Sequence, residues 1–313
     1  MDQDEIIAAV ILYSAGCMLD CVFCKTISQN SESVNFDIKR KQAISELEKL
    51  ENISKTHKIR ILEISGNDPC EYEELADLVK IIKERYNPVE IQLSTHGLKF
   101  TNFEFLKKVI NAGVNAFKIP LYGASPEIHD AVVQHSGAFS ELILVLKYLK
   151  EIYQENPKIK IRINTAIVKE NQDNIDMLIY FIKKLNFISE YYLHFAGFVP
   201  KKESFLEHTP NIDKLRLRFP YFLKLAEKLN INLTLLDIPK CIFNYELPNE
   251  RVRFINPPIG AYYHFSLKDK ELPIYLQKTK PEQCNSCIYF SECPGFYKTY
   301  IEFNLFQPKP ILG

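Results

Sequence analysis

The 313-residue chain contains no tryptophan, three methionines and ten glycines. It has no net charge, because thirty-nine basic residues balance thirty-nine acidic ones. A neutral chain has no general attraction for nucleic acid or for an anionic membrane surface, and together with the missing tryptophan this argues against tRNA. No apolar run reaches the roughly eighteen residues of a membrane-spanning helix. The first residues, MDQDEIIAAVILYS, are acidic ahead of their apolar stretch, whereas a secretory signal starts basic. The expected location is therefore the cytoplasm, with reduced thiols. Only eight cysteines are present; in that compartment they suit metal binding or catalysis better than a disulfide framework. G-x-G-x-x-G is also absent, which removes the doubly wound dinucleotide-binding signature.

What is present is alternation, in a chain that is 46% hydrophobic. Apolar strands are expected at 6–14, 58–65, 89–95, 114–123, 159–168 and 191–198. Helical spacing fills 38–57, 71–86, 102–112, 139–154 and 171–185 between them. Continuous apolar strands separated by helices imply a parallel sheet with helices against it. The fold class expected is α/β: a partial (β/α)6 TIM-like barrel, followed by a small, loop-rich, cysteine-ligated C-terminal module. In such a barrel the site lies at the C-terminal ends of the strands. The expected divisions are a core at 1–208, a linking helix and strand at 209–238, and the C-terminal module at 239–313.

Two cysteine clusters stand out. Cys17, Cys21 and Cys24 form C-x3-C-x2-C directly after the first strand, at the mouth of the barrel. Three thiolates can fill three corners of a cubane iron–sulfur cluster and leave one iron open. A zinc ion with an open position, or three packed cysteines, are the alternatives. Cys284, Cys287 and Cys293 form C-x2-C-x5-C, and Cys241 lies 43 residues before them. Four thiolates can close a second cluster, and they suit tetrahedral zinc equally well. Three plus four leaves only Cys70.

The first cluster, with Phe23 just before its last cysteine, resembles the radical S-adenosylmethionine (radical SAM) superfamily. The resemblance implies a 4Fe–4S cluster on Cys17, Cys21 and Cys24, whose open iron chelates the amino and carboxylate groups of SAM. One electron then cleaves the sulfonium, and the 5′-deoxyadenosyl radical abstracts hydrogen from a substrate. It also implies further SAM contacts. The GGEP-like motif is Gly66-Asn67-Asp68-Pro69, with Asn for the second Gly and Asp for Glu. Phe23 presents its backbone to the adenine. Ser94-Thr95-His96-Gly97 resembles the polar T-N-G stretch of the third strand. Lys118, Tyr122, Ser125 and His129 fall near the pocket, and Asn164 sits where a ribose-binding residue would. Lys118 and Asn164 also read as ordinary polar strand residues, and His129 as a solvated or capping one. Cys70 follows the motif, so a hydrogen-atom donor to a substrate radical is one reading, and a small buried residue opening a helix is the other.

The tail resembles the auxiliary-cluster extension called SPASM in its long form and twitch in its short form. Its cysteine count implies one auxiliary 4Fe–4S cluster on Cys241, Cys284, Cys287 and Cys293, with zinc as the alternative. The resemblance implies an enzyme that modifies a peptide or protein by crosslinking, epimerisation or oxidation. A small-molecule radical SAM dehydrogenase is the alternative, and a zinc-stabilised binding protein is the reading outside enzymes. Many peptide maturases carry an N-terminal recognition domain, and a first ligand at residue 17 leaves no room for one in this sequence. The expected partners are SAM, the peptide or small-molecule substrate, and an electron donor such as flavodoxin or ferredoxin, with no membrane and no nucleic acid.

Overall fold

A computed structural model describes residues 5–24, 35–197, 206–243, 251–255, 277–293 and 295–313. Eight strands form one parallel sheet in simple sequence order: β1 (Glu5–Leu12), β2 (Lys58–Gly66), β3 (Glu90–Ser94), β4 (Ala116–Pro120), β5 (Lys160–Ile167), β6 (Glu190–Phe195), β7 (Leu233–Leu236) and β8 (Val252–Ile255). Neighbours in sequence are neighbours in space, so each crossover carries its helices to the same side, as in a barrel wall. The α/β class and the parallel sheet stand as expected. The expected linking helix and strand are present and join the sheet, and β8 adds a strand the sequence reading does not expect. Helix Ile212–Lys228 leads into β7, which pairs with β6, and β8 pairs with β7. The sheet therefore continues beyond residue 208.

The helices are α1 (Phe36–Ser54), α2 (Leu75–Tyr86), α3 (Phe103–Ala112), α4 (Pro126–Val133), α5 (Ala138–Glu155) and α6 (Ile175–Leu185). Local chemistry sets their ends. The Asn35 and Asn102 side chains accept the Asp37 and Phe105 N–H groups and start α1 and α3. Asn87, left-handed at φ 41°, stops α2 just before Pro88. The helix expected at 71–86 begins only at Leu75, because residues 69–71 form a separate 3-10 turn. Helix α4 lies inside a stretch the sequence reading leaves as loop.

Strand alternation sends two different faces outward. One carries Leu62, Ile64, Leu93, Phe117, Ile119, Ile163, Leu193 and Leu235, all fully buried, and forms the core beneath the helices. The other is polar. Ser94 and Lys118 both reach Glu63, at 2.5 and 3.4 Å. Arg162 joins Glu90, Gln92 and Glu190. Each buried charge there has a partner, as burial of charge requires.

Residues 277–313 pack near the strand ends through aromatic rings. Phe296 meets Phe195 at the end of β6 edge to face, with centroids 5.5 Å apart. The Tyr300 hydroxyl donates to the Ala196 carbonyl at 3.0 Å. Among the described residues no helix is long and apolar enough to cross a membrane.

Candidate SAM and iron–sulfur site

The loops after β1, β2 and β3 converge, and Asp68 ties them together. Its backbone N–H donates to the Gly16 carbonyl at 2.8 Å, one residue before Cys17. Its carboxylate accepts the Thr95 hydroxyl at 2.6 Å and the Cys70 N–H at 2.9 Å. The other carboxylate oxygen lies 2.5 Å from His96 Nε2. Asp68 is wholly buried. Burial opposes its charge, but the His96 and Thr95 contacts outweigh it and hold the pKa below the usual carboxylate value. Beside it, Asn67 donates to the Tyr13 carbonyl at 2.6 Å.

Gly66 permits this approach. It has φ of 128°, and a Cβ there would stand 2.6 Å from the Leu12 backbone. Only glycine fits such a position without moving the first strand.

The cysteine loop is also held from the opposite side. The Asp20 and Val22 N–H groups donate to the Val133 and Val132 carbonyls, at 3.2 and 3.0 Å. Those acceptors lie at the end of α4. Phe23 packs edge to face on Tyr122 at 5.4 Å, and Tyr122 stacks on His129 at 5.8 Å. His129 is buried rather than solvated, and its Nδ1 accepts the Tyr122 N–H at 3.2 Å. Ser125 is the residue before α4. This backing of the cysteine loop has no cysteine-like spacing to reveal it in the sequence. Its one legible signal is Ser125-Pro126, a common helix start.

Cys17 and Cys21 are half-buried and Cys24 is exposed. Burial pushes the Cys21 thiol well up, and the neighbouring Cys24 and Cys17 push it further. The three sulfurs thus sit within electrostatic reach of one another; burial pushes the Tyr122 hydroxyl pKa well up, and all three cysteines add to that rise. Three thiolates at such range repel, so a cationic centre is what would hold them deprotonated together. That donor set fits an iron–sulfur cluster. Among the described residues no three Cys, His, Asp or Glu side chains converge on a single metal ion. A cubane offers each thiolate its own iron and does not require that convergence.

The remaining expected SAM contacts divide into two groups. Ser94 and Thr95 spend their hydroxyls on Glu63 and Asp68. Lys118 is buried, 3.4 Å from Glu63, with the Tyr192 ring 5.5 Å from its ammonium. The side-chain oxygens of Asn164 and Asn67 are buried without a hydrogen-bond partner in the protein, which fits atoms that a polar ligand would satisfy. Pro69 opens the short turn that follows Asp68. Cys70 is 6% exposed. Burial and then Asp68 push its thiol pKa well up.

The four tail cysteines line one small cavity of about 60 Å³, with Lys240, Lys280, Tyr289 and Lys309. The Gly295 N–H donates to Cys293 Sγ at 3.3 Å. Burial and then Cys293 raise the Cys284 pKa; Cys287 adds to the effect. An N–H donor and lysines around four sulfurs suit a group whose ligands are thiolates.

Residues 11–182 match the Radical SAM superfamily. The AdoMet-dependent heme synthase of Methanosarcina barkeri is 23% identical over 221 residues, which cover 71% of this chain and 59% of that protein. The GTP 3′,8-cyclase of Aquifex aeolicus is 26% identical over 171 residues, covering 54% and 50%. The chain thus spans between half and three-fifths of the length of these curated relatives. Streptococcus suis SuiB bound to S-adenosylmethionine superposes with a TM-score of 0.55 at 16% identity, over 75% of this chain and 50% of that one. Coproporphyrinogen III oxidase (HemN) of Escherichia coli superposes with a TM-score of 0.51 at 13% identity, over 72% and 54%. The fold is the one shared with these proteins, and the chain belongs to the radical SAM superfamily of enzymes.

Proposed function

We propose that the chain binds SAM on a 4Fe–4S cluster held by Cys17, Cys21 and Cys24, and acts on a peptide or protein substrate. The observation that carries this reading is the cysteine loop itself. Asp68 braces it from the β2 end and the Val132 and Val133 carbonyls from α4, while the sulfurs stay within electrostatic reach of one another. When bound, such a cluster supplies the electron that cleaves SAM reductively, giving the hydrogen-abstracting 5′-deoxyadenosyl radical.

The protein's own residues position and exclude. Phe23, fixed by Tyr122, offers its backbone to the adenine. Gly66, Asn67, Asp68 and Pro69 form the wall that receives the methionyl end. Asn164 offers its unpaired oxygen to the ribose. Lys118 and Ser94, joined through Glu63, and Thr95, joined to Asp68, hold that wall in place. Cys70 serves as a small packed residue whose backbone N–H is held by Asp68, the second of the two roles its position suggests. Cys241, Cys284, Cys287 and Cys293 hold an auxiliary 4Fe–4S cluster, for which zinc is the competitor.

A peptide substrate is supported by the fold likeness to SuiB, which has also been crystallised with its precursor peptide SuiA. The small-molecule alternative is favoured by a different observation: the sequence relatives named above are a heme synthase and a GTP cyclase. An external one-electron donor, a flavodoxin or ferredoxin, completes the set of partners.

Anaerobically reconstituted protein should hold about eight irons if two cubanes are present. With SAM and dithionite it should release 5′-deoxyadenosine. Cys17→Ala should abolish that release and leave about half the iron bound, since the tail cluster has its own four ligands. No release from wild-type protein, or zinc in place of iron in the tail, would remove the corresponding part of the reading. Candidate peptides and small molecules are then ranked by how far each raises deoxyadenosine release.

A further inference from the structure

The lysines around the tail are held in two different ways. Lys278 is paired with a carboxylate, Asp237, at 2.5 Å. The Lys240 ammonium instead sits 3.7 Å from the centre of the Tyr289 ring. The Lys280 ammonium donates to the Phe290 carbonyl at 2.7 Å and lies 4.4 Å from the centre of the Phe290 ring. Among the described residues Lys240 and Lys280 are thus fixed by rings and a carbonyl rather than by a carboxylate. A ring holds an ammonium through its quadrupole and leaves the full charge in place, whereas a carboxylate cancels it. Both lysines, Tyr289, Phe290 and all four tail cysteines line the same cavity of about 60 Å³. Lys240 directly precedes Cys241, and Tyr289 and Phe290 lie between Cys287 and Cys293. The wall carries three lysines against one carboxylate, Glu292.

We propose that Lys240 and Lys280 set the electron affinity of the tail site: two fixed, uncompensated cations on its wall make the group held there easier to reduce. The inference rests on the auxiliary 4Fe–4S reading of Cys241, Cys284, Cys287 and Cys293, and deepens it. A one-electron reductant adds one negative charge to an iron–sulfur core whose four protein ligands are already anionic. Cations on the wall of so small a cavity lower the energy of that added charge. Pro239, Pro308, Pro310 and Ile311 complete much of the wall, and apolar surroundings screen charge weakly. The lysines are not ligands; they act on the cluster through space. Tyr289 and Phe290 keep them in place without neutralising them. Zinc on the same thiolates would take up no electron, so the arrangement has a redox consequence only for an iron–sulfur group.

The test is a redox titration of the reconstituted full chain, followed by EPR. The signal that ignores SAM reports the tail cluster, and the signal that responds to SAM reports the N-terminal one. Lys240→Met and Lys280→Met keep an apolar stem and remove the charge. Each should keep its iron and move the SAM-insensitive signal to a more negative potential. The expected change in the reduction equilibrium is on the order of tenfold, 59 mV for one electron. The SAM-responsive signal should not move. Lys240→Arg, which keeps both the charge and the ring contact, should stay at the wild-type potential. An unmoved tail potential in either methionine variant overturns the proposal. An equal shift in Lys240→Arg and Lys240→Met also overturns it, because packing and not charge would then be responsible. So does equal movement of both signals, since the effect would not be local. Loss of the tail iron in either methionine variant overturns it too, as that lysine would then be needed to assemble the site. A wild-type chain with no SAM-insensitive signal, or with zinc in the tail, refutes the auxiliary-cluster reading instead, before any variant is made.

Discussion

His129 shows how one residue near the site is set by burial. It is 3% exposed, and its Nδ1 accepts a backbone N–H, which only an unprotonated nitrogen can do. Burial pushes its pKa down from 6.5 to about 4. Between those two pH values the unfolded chain binds a proton that the folded ring refuses. The contribution to stability is therefore complete above pH 6.5 and is lost as the pH falls toward 4. The loss amounts to about 3 kcal/mol. Urea unfolding at pH 7 and at pH 4.5 should show it, and His129→Gln should flatten the difference. His194 is shifted the same way, also to about 4, so part of the pH dependence should survive in the His129 variant. The spacing of Cys17, Cys21 and Cys24 is visible in the sequence because ligand spacing is a one-dimensional signal. The partners of those residues are not. A histidine in a row of letters carries no sign of whether it is solvated, and both His96 and His129 owe their roles to burial and to neighbours distant in sequence.

At the scale of elements, the strands and long helices are legible because their periodicity is strong. The expected strand at 58–65 is β2 to within a residue, and the expected helix at 102–112 is α3 to within one. The misses have physical causes. Helix α4 has eight residues, too short for a clear 3.6-residue rhythm. Strand β8 has four, VRFI, in a stretch dominated by prolines and aromatics. The strand expected at 114–123 ends at Pro120, where the chain turns toward α4. Nor does the sequence reveal which polar strand residues pair across the sheet, since pairing depends on register. Lys118 and Arg162 lie in register on β4 and β5, yet their carboxylate partners come from β2, β3 and β6. Lys118→Met removes a buried cation from beside Glu63, which is 3% exposed. An uncompensated buried carboxylate costs about 3–5 kcal/mol. Adding Glu63→Gln to that variant should restore most of the loss, measured as the non-additivity of a double-mutant cycle in urea. Additive losses would show that Glu63 and Lys118 do not depend on each other.

Across the whole molecule, the cysteine-rich tail is held near the strand ends by one aromatic packing contact. Phe296 is 2% exposed, and its ring lies 5.5 Å from Phe195, 5.0 Å from Tyr300 and 4.8 Å from Phe306. Arg216, on the helix before β7, adds a hydrogen bond to the Gln307 carbonyl at 3.1 Å. Phe296 also follows Gly295, which has φ of 87° and directs its N–H to Cys293. The aromatic cluster thereby fixes the position of Cys293. Truncating a buried Phe to Ala costs about 3–5 kcal/mol. Because the strands and their helices keep their own core, that loss should fall on residues 277–313 first. Phe296→Ala should become sensitive to limited proteolysis in that segment. It should lose the tail's share of the iron, about half of the total, while keeping the iron of the N-terminal trio. Leu312→Ala, at a side chain 69% exposed, is the control and should change neither. If Phe296→Ala lost iron from both sites equally, the N-terminal site would depend on the docked tail, and the core and tail would have to be treated as one cooperative unit.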